Sequence, residues 1–300
     1  RIPTHLTAAG TRGRDWSDEA FAKADLILAI GFDYIEYSPN RWNKERKPVI
    51  HISRTEAEVD AHYPVAVSLI GDLPHNLTRL MELVSARTQF PAPFAELKRK
   101  IRREWEQAGQ DASFPLKPSK ILYDLRAAMD DEDIVMCDVG AHKVWLGRMF
   151  PVFQPETCFI SNGLATMGVA LPGAIAAKLV KAKQRVVAVC GDGGFLMNVQ
   201  ELETAVRLKM PLVILLWRDG GYGLIEWEQQ EKFRHSHHVT FGNPDFVELA
   251  RSFGMEGYRV QKAEDLRPLL EMALQAQGPV LIDCPVDYGE NLKLEEKIKS

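Results

Sequence analysis

Two short runs carry the residue types most capable of chemistry. One is Gly191-Asp192-Gly193-Gly194. The other is Asp219-Gly220-Gly221, with Asp219 lying 27 residues after Asp192. Glycines let main-chain N–H groups close on an anion, and a helix N-terminus behind them favours negative charge. Two carboxylates among such glycines would repel the anion unless a divalent cation stands between them. Mg2+ fills that place, taking one or two carboxylates together with phosphate oxygens in an octahedral shell. The pair of runs therefore points to a magnesium-bound diphosphate. Either run taken alone also suits a plain turn.

The spacing of 27 residues is that of one strand–helix–strand crossover. Apolar, strand-like patterns at 185–190 and 212–217 lead into the two runs. Two earlier strand patterns, at 134–137 and 158–160, lead into Asp138-Val139-Gly140-Ala141-His142 and Ser161-Asn162-Gly163-Leu164-Ala165-Thr166-Met167-Gly168. Strands at 257–260 and 280–284 follow. Helical patterns separate them over 119–129, 144–150, 167–180, 199–209, 245–252 and 263–274. Six strands alternating with helices predict a doubly wound α/β fold with a six-stranded parallel sheet and helices on both faces. In such sheets ligands bind beyond the carboxyl ends of the strands, where all four glycine-bearing runs fall.

Upstream, strand patterns at 24–30, 48–53 and 67–70 and a helix over 73–84 predict a smaller α/β unit over residues 1–85. Residues 86–118 read as a linker, with prolines at 91, 93, 115 and 118 and one charged, exposed helix over 94–107. Residues 119–300 form the larger domain.

Composition excludes several classes. Hydrophobic residues make up 46% and charged residues 26%, with a net charge of −4. That is a globular chain, with neither the basic stripe of a nucleic-acid binder nor a disordered composition. No apolar run is long enough to span a bilayer. Cys137, Cys158, Cys190 and Cys284 are widely spaced in or beside apolar runs and read as reduced, buried thiols. His235-Ser236-His237-His238 lies in a polar stretch and reads as a solvated loop. A nicotinamide-binding oxidoreductase would need G-x-G-x-x-G after its first strand, and Gly31 stands without that pattern.

The segment GDGGFLMNVQELETAVRLKMPLVILLWRDGGYGLI resembles the cofactor signature of thiamine-diphosphate-dependent enzymes. DVGAHKVWLGRMF, ISNGLATMGVALPGAIAAKLV and GPVLIDCPVDY extend the likeness, in order, to the large chain of the acetolactate synthase family. The resemblance implies thiamine diphosphate and Mg2+ as cofactors. It assigns the metal to Asp192, Asp219 and the main-chain carbonyl of Gly221. It assigns the cofactor to Gly140, Ala141, His142, Gly163, Leu164, Met167, Gly191, Asp192, Gly193, Gly194, Asp219, Gly221, Tyr222, Gly223, Leu224 and Ile225. Met167 and Ile225 take the catalytic positions, Met167 beneath the thiazolium ring. Without the resemblance, Met167 spaced helically from Leu171 also suits a core, and His142 suits a capping group. The implied reaction is decarboxylation of pyruvate and carboligation to 2-acetolactate by a cytoplasmic, homo-oligomeric transferase of a branched-chain amino acid or acetoin route. Another 2-oxoacid decarboxylase or carboligase, or a non-catalytic cofactor-binding fragment, is the alternative.

Several positions depart from the family pattern. Asp219 stands where many members carry Asn, as in the FAD-free catabolic type. Trp227 precedes by one residue the position, Glu228, where FAD-containing members place Trp. The segment 31–37 lacks an arginine. These features imply an enzyme without FAD. Residues 1–85 resemble the C-terminal half of the family's middle domain, a partial Rossmann-like domain, and the family's first domain, with the glutamate that activates the cofactor, has no counterpart. The chain begins with Arg1 and shows no signal-like segment, so the expectation is the C-terminal portion of a longer enzyme, nearly inactive alone. Its half-built first sheet would expose a strand edge.

Overall fold

The computed structural model describes residues 16–33, 38–84, 92–292 and 294. Two compact units divide the chain between Arg103 and Glu104.

The first unit contains α1 (Trp16–Lys23), β1 (Ile27–Ile30), β2 (Val49–Ser53), β3 (Val65–Ile70), α2 (Leu73–Leu83) and the start of α3 (Ala92–Gly109). Its three strands lie in the order β1-β2-β3, all parallel. Period-two alternation is plain in β1, where Ile27 and Ala29 are buried and Leu28 and Ile30 are exposed. The core is Ile27, Ala29, Val49 and Tyr63, packed by Phe21, Phe32 and Trp42. Asp72 caps α2, accepting the His75 N–H at 2.9 Å. Among the described residues the edge strands β1 and β3 each pair on one side only, and Val65, Val67 and Ile70 of β3 are exposed. The helix expected to be exposed, α3, buries Leu97 completely and Ala108 nearly so; its charged residues masked these inward positions.

The second unit runs α4 (Pro118–Ala128), β4 (Ile134–Cys137), α5 (Ala141–Met149), β5 (Cys158–Ile160), α6 (Ala170–Val180), β6 (Val186–Gly191), α7 (Asp192–Met197), α8 (Glu201–Arg207), β7 (Val213–Arg218), α9 (Gly223–Phe233), α10 (Phe246–Ser252), β8 (Glu256–Arg259), α11 (Leu266–Ala273) and β9 (Val280–Pro285). The sheet order is β5-β4-β6-β7-β9-β8, with every pairing parallel. Six parallel strands between helices are the architecture the alternation predicts.

The sheet has an apolar layer on each face. Val187 and Val189 of β6 join residues of α4, α5 and α11 on one side. Val186, Ala188 and Cys190 join residues of α6, α8 and α10 on the other. Both faces being covered, the central strands carry unbroken apolar runs. Cys137, Cys190 and Cys284 are buried, Cys158 is half-buried, and none is paired. Burial lifts the Cys158 thiol to about 11.

Several elements differ from the sequence reading, α1 among them, since no helix was expected before residue 24. The helix expected from 167 begins at Ala170, because Gly168 sits at φ +88° and its N–H is bound to Asp138. Helices α7 and α9 were not anticipated: α7 is six residues with two glycines, and α9 buries only Trp227, so neither shows an apolar period. The stretch before α4 is not free linker. The Leu116 N–H donates to the Pro285 carbonyl, and the Asp287 N–H to the Leu116 carbonyl, seating this stretch at the end of β9.

Candidate functional site

Strand order fixes where a ligand can enter. From β4 the chain leaves toward β5 on one side, whereas from β6 it leaves toward β7 on the other. The connections therefore diverge between β4 and β6 and open a crevice at their carboxyl ends. A cavity of about 250 Å³ occupies that crevice. Of the residues predicted from sequence, Gly140, Ala141, His142, Met167, Gly191, Asp192, Gly193, Gly194, Asp219, Gly221, Tyr222, Gly223, Leu224 and Ile225 line it. Gly163 and Leu164 do not; Leu164 is 96% exposed. Val139, Ala165 and Tyr288 also line it and were missed. Tyr288 follows β9, so the strand-end rule could have found it.

Asp192 opens α7 and is 1% exposed. Its Oδ1 accepts the Gly193 N–H at 2.8 Å. Its Oδ2 accepts the Gly220 N–H at 2.7 Å and an Asn243 Nδ2–H at 2.8 Å. Three donors hold the carboxylate in one orientation. Asn243 carried no signal in the sequence, since it follows no strand and belongs to no motif.

Asp219 follows β7. The residue is exposed, yet partial desolvation in the crevice first, and then the Asp192 charge, raise its carboxyl to about 7, against which the Gly221 N–H acts. The loop bearing Asp219 is clamped in place: the Tyr222 N–H donates to Val239 and the Phe241 N–H to Gly220. Gly220 turns this loop at φ +76°. At the end of β7, Arg218 donates to Asp283 at 2.7 Å, and Arg259 grips the other oxygen at 2.7 Å.

His142 lies in the first turn of α5, 2% exposed, with its Nε2 unpartnered. Burial lowers its pKa to about 4, so the ring is neutral. Met167 is set by its neighbour. The Gly168 N–H donates to Asp138 Oδ1 at 2.8 Å, and Asn198 Nδ2 donates to the Gly168 carbonyl at 2.9 Å. Tyr222 packs on Phe241 with ring centroids 4.9 Å apart.

Around the cavity the backbone is crowded by its own side chains. A Cβ on Gly223 would stand 2.6 Å from Asp219 Oδ2, one on Gly193 3.0 Å from Tyr222, and one on Gly194 3.1 Å from Asp138. Among the described residues no cluster of three or more His, Cys, Asp or Glu side chains could hold a metal, and His235 to His238 lie in the loop after α9. No helix among them is long and apolar enough to cross a membrane. Tyr34 to Tyr37, part of the segment used to judge FAD binding, lie outside the described residues.

Comparison with known proteins places these features. Residues 138–284 match the model "Thiamine pyrophosphate enzyme, C-terminal TPP binding domain", and residues 1–80 the model of the central domain of the same enzymes. The chain is 40% identical to an acetolactate synthase of Bacillus subtilis (strain 168), over 96% of this chain and 54% of the relative. It is 35% identical to the catabolic acetolactate synthase of Raoultella terrigena, over 91% and 50%. It is 30% identical to the acetolactate synthase isozyme 2 large subunit of Escherichia coli (strain K12), over 97% and 53%. The chain thus spans about half the length of the curated relatives it matches. With both models in sequence order and the cavity inside the second, the chain belongs to the thiamine pyrophosphate enzymes.

Proposed function

We propose that the cavity holds thiamine diphosphate through Mg2+ seated by Asp192, Asp219 and the main-chain carbonyl of Gly221. The enzyme this chain serves joins pyruvate, or a related 2-oxoacid, into 2-acetolactate. One observation carries the reading. Two carboxylates meet at a glycine-lined crevice, Asp192 buried and Asp219 at its open side, and desolvation together with the Asp192 charge raises Asp219 to about 7. Such a pair is unfavourable without a counter-charge. Its hard oxygen donors suit Mg2+, and the relatives named above act as acetolactate synthases.

The residues divide the work. Main-chain N–H groups at Gly140, Ala141 and Gly194 suit phosphate oxygens at helix starts. Neutral His142 adds a hydrogen-bonding nitrogen without adding charge. Met167, Leu224 and Ile225 present apolar walls that exclude water and orient the ring system. Thiamine diphosphate, when bound, supplies the electron sink for loss of carbon dioxide. The cavity lining contains no glutamate among the described residues. The proton-transferring acid that activates the cofactor therefore comes from elsewhere, in an oligomeric, cytoplasmic, FAD-independent enzyme, and the chain alone turns over almost nothing.

Calorimetry tests the reading. Thiamine diphosphate should bind the 300-residue chain only with Mg2+ present. Equal binding with and without Mg2+, or none, would overturn it. Binding without acetolactate formation when the missing portion is supplied would favour a non-catalytic cofactor-binding role.

A further inference from the structure

We propose that Asn243 sets the cation selectivity of the site by occupying one oxygen of Asp192; the inference rests on the cation reading given above. A carboxylate offers about four lone-pair positions, two on each oxygen. In Asp192, Oδ2 receives both the Gly220 N–H and the Asn243 Nδ2–H, at 2.7 and 2.8 Å. Oδ1 receives the Gly193 N–H at 2.8 Å. One position remains, on Oδ1. Asp219 lines the same cavity and feels the charge of this carboxylate. A cation shared by the two side chains therefore meets a single oxygen of Asp192.

That restriction discriminates between ions. Mg2+ keeps six ligands near 2.1 Å and takes carboxylates through one oxygen, whereas Ca2+ takes six to eight ligands, often with a carboxylate bound through both oxygens. Blocking Oδ2 favours the smaller ion. Of the two donors on Oδ2, the Gly220 N–H belongs to the loop that also carries Asp219. Asn243 is the donor that a side-chain change can remove. The direction of its amide follows from its partner, because only the NH2 end can face a carboxylate. The opposite end, Oδ1, is left buried without a protein partner. An unpaired buried acceptor is a cost the fold carries, and Asn243 carries it at the side chain that fills Oδ2 of Asp192.

The test is a pair of calorimetric titrations, MgCl2 and CaCl2, each with thiamine diphosphate, on the 300-residue chain and on Asn243→Ala and Asn243→Ser. Wild type should bind Mg2+ more tightly than Ca2+. Both variants should shift the ratio toward Ca2+ by about tenfold, equivalent to one unit of log affinity. Melting of the cation-free variants should stay within a few degrees of wild type. An unchanged ratio would overturn the inference and leave the cation reading intact. A lower melting temperature with an unchanged ratio would reduce Asn243 to a structural residue, and so would failure of both variants to fold. A wild-type chain that binds neither ion would reject the cation reading itself.

Discussion

Gly220 donates its main-chain N–H to the Asp192 carboxylate at 2.7 Å. One hydrogen bond thereby joins the carboxyl ends of β6 and β7, and the two acidic residues cannot drift apart independently. Removing the acceptor should undo both ends. Asp192→Ala is expected to abolish Mg2+-dependent thiamine diphosphate binding in calorimetry. It also leaves the Gly220 and Asn243 donors unpaired, at a cost of about 1–3 kcal/mol. Asp219→Asn keeps an oxygen donor and relieves the repulsion, so binding should remain within about tenfold of wild type.

Gly223 is a steric partner of Asp219. A methyl group there would stand 2.6 Å from Asp219 Oδ2, and the carboxylate must swing away. Gly223→Ala starts α9, where alanine is otherwise well suited. The variant should fold with near wild-type circular dichroism yet lose the thermal shift that Mg2+ and thiamine diphosphate together confer. Retention of that shift would show that Asp219 has room to spare.

His142 makes stability depend on pH. Burial holds its pKa near 4 in the folded chain, against an ordinary 6.5. Above pH 6.5 neither state is protonated, and the contribution is whole. As pH falls from 6.5 toward 4, the unfolded chain takes a proton that the folded one refuses, and stability declines by about 3 kcal/mol. His142→Gln should flatten that part of the profile in urea titrations. An unaltered slope between pH 6.5 and 4 would show that other groups produce it.

Asp138 governs the loop that carries Met167. It is 1% exposed, and it accepts the N–H groups of Val139 and Gly168. Asp138→Ala strands those donors, and the expected loss is about 3 kcal/mol. Amide exchange at Gly168 should accelerate more than at the centre of β6. Uniform acceleration would mean that the loop is not separately secured.

The larger sheet was legible because its signals are local. Apolar strands such as 212–217, each followed by glycine and acid, declare both the fold and the side of it that binds. Met167 and Ile225 were reached only through the family resemblance, since neither residue type reports chemistry by itself. Asn243 was not reached at all, and Asp138 only as the opening residue of a glycine-bearing run, without its role. Their importance lies in partners 51 and 30 residues distant, which no local pattern encodes. The start of α6 was misplaced for the same reason: the Asp138–Gly168 hydrogen bond overrides a sequence that reads as continuous helix. The charged helix α3 hid its one buried leucine among lysines, arginines and glutamates.

The crowding of the glycine rim bears on how this site can diversify. Gly193, Gly194 and Gly223 are each hemmed in by a side chain that already has work to do, so new functional groups cannot be grafted onto the rim's backbone. Innovation in substrate choice must instead come from exchanging side chains that already face inward, such as Met167, Tyr222 and Ile225, while the acidic pair and its scaffold stay fixed. The architecture thus separates a conservative anchoring half from a half that is free to vary.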